Sequence, residues 1–170
     1  MLLIQAHLKT LALIENINLN EEYCFIHSVD IDATRVIKFL DKSIPLKSDY
    51  YICYKRYDDD HFLLTIQEWV LNNIRVNLLK QFVWTNAPII KTTKLKKLSK
   101  NPTGFLEDII ASDNLRSYLN PTIIKTPVIV SGRRYIKDGV SNRLLGNILI
   151  MIMYRFKLKT IAQLKAIYYK

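Results

Sequence analysis

Hydrophobic positions along this chain recur with two periods, and the switches between them predict an order of elements. Leu2, Leu3, Ala6, Leu8, Leu11, Ala12 and Leu13 fall at spacings that predict a leading helix burying one side. After a polar stretch, Tyr23 to His27 predicts a short strand, and Asp30 or Asp32 then caps a helix running to about Lys42. Val36, Ile37, Phe39 and Leu40 form the apolar side of that helix, and Pro45 ends it. Asp49 to Tyr57 alternates aromatic and β-branched residues as a second strand would, so strand, helix and strand suggest a βαβ unit.

The stretch after it fits two patterns. Asp58-Asp59-Asp60 is either a turn joining two antiparallel strands or the negative start of a long helix, where the helix dipole favours carboxylates. Phe62, Ile66, Trp69 and Val70 fit helical spacing, which predicts a helix from about Phe62 to Phe82. Residues 89–102 carry Lys91, Lys94, Lys96, Lys97 and Lys100 and are expected to form an exposed loop. Thr103 to Leu119 returns to helical patterning, with Ser112 or Asp113 capping a break into two short helices. Residues 126–139 predict a β-hairpin around Ser131-Gly132 with a second turn at Asp138-Gly139. A helix from about Ser141 to Phe156 follows, and Thr160 caps a last one reaching Tyr169. The expected architecture is α/β or α+β: a small mixed sheet with flanking helices and a helical C-terminal tail, in one domain over residues 1–170.

Composition agrees with that picture. A chain of 170 residues with 49% hydrophobic content can bury one core. Its longest apolar run, Ile148 to Met153, falls far short of the roughly 20 residues needed to span a bilayer. Neither a secretory signal nor a mitochondrial presequence is recognisable at the start, so an intracellular location is expected. The scarcity of Gly and Pro beside abundant Ile, Lys, Asn and Tyr is that of an A/T-rich genome, as in many viruses and organelles. Cys24 and Cys53 lie in apolar stretches and are expected to be reduced, buried thiols rather than a redox pair.

Charge adds a function class. Residues 1–70 hold 7 Lys/Arg against 11 Asp/Glu, whereas residues 71–170 hold 18 against 4. An acidic half followed by a strongly basic one points to a nucleic acid or an acidic protein surface as partner, in a ribonucleoprotein, transcriptional or viral assembly. The candidate phosphate contacts are Lys91, Lys94, Lys96, Lys97, Lys100, Arg133, Arg134, Lys137, Arg155, Lys157 and Lys159. Tyr135, Tyr154, Tyr168 and Tyr169 lie among these charges and are candidates for stacking on unpaired bases.

Signals for catalysis are sparse. Asp58-Asp59-Asp60-His61 is the densest group of potential metal ligands, but consecutive residues point in different directions and an octahedral cation wants converging carboxylates. His27, Asp30 and Asp32 sit at a predicted strand end, where α/β folds place ligand sites, yet no glycine-rich phosphate loop accompanies them. His7 has no partner in sequence. A non-enzymatic binding protein is therefore expected, with no metal and no cofactor. An enzyme centred on His27, Asp30, Asp32 and Asp58 to His61 is one alternative, and a purely structural protein-interaction module is another.

Residues 119–139, with Asn120-Pro121, Lys125 and the proline-led run from Pro127, resemble the later part of thioredoxin-like proteins of the arsenate reductase and Spx group. The resemblance implies a thioredoxin-like sheet, with Pro127 at the position of the proline beside that family's active site. That family places its redox cysteine at the first strand-to-helix turn. Here His27-Ser28-Val29-Asp30 has none, so the resemblance also implies the absence of thiol catalysis.

Overall fold

The computed structural model describes residues 2–5, 22–28, 31–43, 46–98 and 105–169. In chain order the strands are β1 (Leu2–Gln5), β2 (Tyr23–His27), β3 (Ile31–Asp32), β4 (Tyr50–Tyr57), β5 (Ile89–Lys91) and β6 (Thr122–Val130). The helices are α1 (Thr34–Ser43), α2 (Phe62–Val70), α3 (Thr92–Leu98), α4 (Glu107–Arg116), α5 (Arg133–Asp138), α6 (Val140–Arg155) and α7 (Ile161–Tyr168). The strands form one mixed sheet in the order β1-β2-β5-β4-β6-β3. β1 and β2 are parallel, as are β4 and β6, while β5 runs antiparallel to both neighbours and β3 antiparallel to β6. This is the mixed α/β architecture expected from the hydrophobic pattern. No described helix is long and apolar enough to cross a membrane.

Side chains alternate along each strand and so divide between two cores. Cys24, Ile26, Tyr50, Ile52 and Ile90 face Phe82, Leu95, Ala111 and Leu115 on one side of the sheet. Tyr23, Phe25, Tyr51, Cys53, Ile89 and Val128 face Val36, Leu64 and Val140 on the other. The two free, buried cysteines therefore lie in different cores, which excludes the redox pair. A third cluster of Phe105, Ile150 and Leu164 joins α6 to α7. Thr160 caps α7 as expected, accepting the Gln163 N–H while the Gln163 side chain accepts the Thr160 N–H.

Several expectations fail for reasons visible in the sheet. Leu2–Gln5 is a strand pairing with Cys24–His27, not the start of a helix; residues 6–21, including His7, lie outside the described residues. The lysine-rich segment is not a loop. Ile89 and Ile90 are fully buried in a central strand, and α3 follows directly. Over its described residues 89–98 the apolar side chains Ile89, Ile90, Leu95 and Leu98 are buried, while Lys96 and Lys97 stay exposed on the helix. No hairpin forms at 126–139, because the positions beside β6 are taken by β4 along its length and by β3 at its end. The chain turns at Ser131-Gly132 into α5 instead. Gly132 packs closely there: a Cβ would meet Asp59 Cβ and Leu64 Cδ1, each at 3.1 Å, so these neighbours would have to give slightly. Pro127 sits at the register shift between Cys53 and Tyr54, where a residue lacking an N–H is tolerated in a sheet. α4 passes through Ser112 and Asp113 unbroken, since the Ser112 hydroxyl accepts the Phe82 N–H at 2.9 Å rather than capping its own helix.

The open edge of β4 organises the rest. β5 pairs only with Tyr50 and Tyr51, so beyond Tyr51 this edge has no strand neighbour among the described residues. Side chains replace the missing strand. Asn86 Nδ2 donates to the Cys53 carbonyl at 3.1 Å, and Glu68 Oε2 accepts the Tyr57 N–H at 3.3 Å. Between them Asn72 takes both groups of Lys55, accepting its N–H at 3.0 Å and donating to its carbonyl at 2.8 Å.

The helix supplying Glu68 and Asn72 begins as nine residues of α2 and continues as an eight-residue π-helix, Leu71–Leu78. Its inward positions are Leu64, Glu68, Asn72 and Val76, a strict period of four. An α-helix turns every 3.6 residues and would rotate this row away from the strand, whereas a π-helix, at roughly 4.4 residues per turn, rotates it back. Joining the two keeps all four positions on one line. The helix starts with Leu64 in one core and ends with Val76 in the other, so it crosses the sheet at the open edge.

Asn72→Ala leaves two buried backbone groups of Lys55 unpaired and is expected to destabilise the fold by about 2–4 kcal/mol. Asn73→Ala, at the exposed neighbouring position, should shift stability by less than about 0.5 kcal/mol. Urea denaturation of the two variants measures the difference.

Candidate functional site

Two groupings of polar side chains stand out, one buried and one open. The buried one starts at Lys55, which is 5% exposed. Its ammonium nitrogen lies 3.2 Å from the Tyr57 hydroxyl, which in turn donates to Gln67 Oε1 at 2.9 Å. Gln67 Nε2 and Asn147 Nδ2 both donate to the Tyr135 hydroxyl, at 3.1 and 3.3 Å. β4, α2, α5 and α6 are thereby tied through one chain of hydrogen bonds. Burial lowers the Lys55 pKa to about 7, with Arg75 adding to the effect and Asp108 and Glu68 opposing it. Burial likewise raises the Asp108 carboxyl, although Arg75 opposes that shift, and raises the Tyr57 phenol.

Lys55 is buried beneath the helix, and its network joins four elements with a pH dependence. The unfolded chain holds the lysine proton to about pH 10, whereas the folded chain releases it near pH 7. Between those values the unfolded state binds more protons, and stability rises with pH. Raising the pH from 7 to 9 is expected to stabilise the protein by about 2 kcal/mol through this group, and Lys55→Met should abolish the rise. Denaturation midpoints of both proteins at the two pH values check it.

The open grouping lies where the π-helix, α4 and α6 end together. A shallow cleft of about 470 Å³ is lined by Leu79, Lys80, Asp113, Arg116, Ser117, Asn120 and Arg155. Asp113 is its hub. It accepts both guanidinium nitrogens of Arg155 at 2.9 and 3.2 Å, Arg116 Nε at 3.1 Å and Gln81 Nε2 at 3.0 Å. One carboxylate thus holds two guanidinium groups in fixed positions, and with Lys80 the lining keeps two positive charges in excess. Lys80 itself has φ 52°, the left-handed conformation that ends a helix, here allowing Gln81 to donate to the Arg75 carbonyl at 2.9 Å.

Tyr118, just past the end of α4, is 51% exposed beside this cleft. The Lys94 ammonium lies 6.0 Å from the centre of its ring while pairing with Asp49 at 3.5 Å. Lys157 and Lys159 follow Arg155 in the chain and are exposed. Lys94 with Tyr118, the cleft residues Arg116, Lys80 and Arg155, and these two lysines are together the candidates for a basic track.

Not all expected contacts join this track. Lys91 pairs with Glu22 at 3.5 Å, and Lys96 and Lys97 are exposed on α3, near the amino ends of β2 and β4. Lys100 lies outside the described residues. Arg133, Arg134 and Lys137 are exposed on α5, separated from Arg155 by the length of α6, about 24 Å for its 16 residues. Of the expected stacking residues, only Tyr169 is exposed. Tyr135 holds the buried network, Tyr154 donates to Asp113 at 3.4 Å, and Tyr168 accepts from Arg143 at 2.8 Å while packing on Phe105. Lys80, Arg116 and Tyr118 were absent from the expected set. Arg116 and Tyr118 lie in a stretch that reads as an ordinary amphipathic helix, and nothing local distinguishes Lys80.

Of the alternative site, Asp32, Asp58, Asp59 and His61 each accept a backbone N–H. Asp32 accepts the Thr34 N–H at 2.9 Å, and the Thr34 hydroxyl together with that N–H holds its carboxyl below the usual range. Asp58 accepts the Gly132 N–H at 2.6 Å, Asp59 that of His61 at 2.8 Å, and His61 Nδ1 that of Leu63 at 3.2 Å. Asp30 and the His27 side chain lie outside the described residues. Among the described residues no three His, Cys, Asp or Glu side chains are grouped to hold a metal.

No family model, curated protein or solved structure matches this chain.

Proposed function

We propose that this protein is a non-catalytic nucleic-acid-binding subunit that holds a single strand along the Lys94–Tyr118–Arg155 track. The exposed Tyr118 ring carries the proposal, with a lysine on one side and a cleft in positive excess on the other. Phosphates need cations spaced along a path, and an unpaired base needs an open aromatic face at the same place. Arg116 and Arg155 are held in position by Asp113, so little side-chain freedom is lost when phosphate oxygens approach them.

Fluorescence anisotropy of labelled DNA and RNA oligonucleotides over a salt series tests this. Affinity is expected to fall with salt, with a log–log slope of about −0.7 per phosphate contact, and Lys157→Ala and Lys159→Ala should each shallow it by about that amount. Tyr118→Ala should weaken binding roughly tenfold at unchanged slope. Lys80→Gly separates folding from binding: it relieves the left-handed backbone, stabilising the protein by up to about 1 kcal/mol, yet lowers affinity. Ala at Arg133 and Arg134 should leave binding within about twofold of wild type. Absence of binding at low salt overturns the proposal.

A further inference from the structure

The long helix crossing the sheet edge has its polarity inverted. Glu68 and Asn72 point inward to β4, while Phe62, Ile66, Trp69, Val70, Ile74 and Leu78 face outward, each between 38% and 73% exposed. Sequence periodicity places Phe62, Ile66, Trp69 and Val70 on one side of this helix. They are its solvent side, because the inner positions replace a strand. At about 200 Å² for a fully exposed large side chain, the six leave roughly 650 Å² of apolar surface on one helix, above the largest patch of a typical monomer. The face carries no formal charge. Between Asp60 and Lys80 the only charged side chains are Glu68, which binds the Tyr57 N–H, and Arg75, which donates to Gln81.

We propose that this face is a homodimer interface in which the helix packs on its copy across a two-fold axis near Val70. Three observations select a second copy. Two such faces together bury about 1,300 Å², within the range of stable specific interfaces. Phe62, Ile66, Val70, Ile74 and Leu78 form one continuous i±4 ridge, the kind that interdigitates with its equivalent in the commonest helix-packing class. A two-fold axis at Val70 sets Ile66 beside the partner's Ile74 and Phe62 beside the partner's Leu78, and such contacts close without further growth. Charge fits as well: the helix starts at Asp58-Asp59-Asp60 and ends at Lys80, so an antiparallel pair brings each acidic start toward the other's basic end. An anionic bilayer would meet those three carboxylates instead.

Sedimentation velocity of the full chain, free of nucleic acid and at concentrations up to about 100 µM, is expected to show a dimer. Val70→Asp and, independently, Ile74→Asp should each give a monomer with unchanged far-UV circular dichroism and a thermal midpoint that no longer rises with protein concentration. Phe156→Asp, at an exposed apolar position just past the end of α6, should remain dimeric. A wild-type chain that stays monomeric overturns the proposal, as does a dimer that survives both substitutions. Monomers that instead co-sediment with vesicles of mixed neutral and anionic lipid would assign the face to a membrane and equally overturn it. Since no nucleic acid is present, none of these results depends on the proposed binding track.

Discussion

Hydrogen bonding along one strand edge constrains most of this structure. β4 is eight residues long, but its neighbour β5 covers only the first two. The remaining buried peptide groups would each carry a desolvation penalty if left unpaired. Asn86, Asn72 and Glu68 take the place of a seventh strand, and a helix in this position must present a polar residue every fourth place. The composite α and π winding is the backbone geometry that meets this spacing.

From that helix the path of the chain follows. Because it crosses from one side of the sheet to the other, the segments after it begin on the Val76 and Phe82 side, where α3 and α4 pack. The chain returns through β6 to α5 and α6, and α6 spans back until Arg155 reaches Asp113. The basic cleft thus forms where the end of the crossing helix meets the ends of α4 and α6. The buried lysine belongs to the same economy of space: Lys55 lies on the edge strand beneath the helix and is enclosed by it, so its ammonium is desolvated beside Tyr57.

Much of the element order was legible along the chain. The strands at Tyr23 and Asp49, the helix capped at Asp32, the long helix after Asp60 and the capped helix at Thr160 each carry local signals of period, cap or breaker that act within a few residues. What was illegible depended on partners distant in sequence. Ile89 to Lys91 looked like part of a linker because over residues 89–102 the lysines outnumber the apolar residues, and only the gap between β2 and β4 makes it a strand. The run after Val130 looked like a returning strand, but β3 already occupied the place it needed. The candidate track was half visible: Lys94, Arg155, Lys157 and Lys159 follow from charge, whereas Arg116 and Tyr118 acquire their place only through the meeting of α4 with α3 and α6.

By itself the sequence determined the alternation of strands and helices, the solvated position of Lys96, Lys97, Lys157 and Lys159 and the separation of an acidic half from a basic one. These depend on side-chain chemistry and short-range backbone geometry, which are properties of neighbouring residues. Tertiary structure alone decided which face of the Phe62–Leu78 helix is inside. Apolar periodicity shows that a helix has two sides, but cannot show that an unpaired strand edge is present to claim the polar one. A buried peptide group without a partner is costlier than an exposed Ile or Phe, so the edge prevails and the apolar side is turned outward.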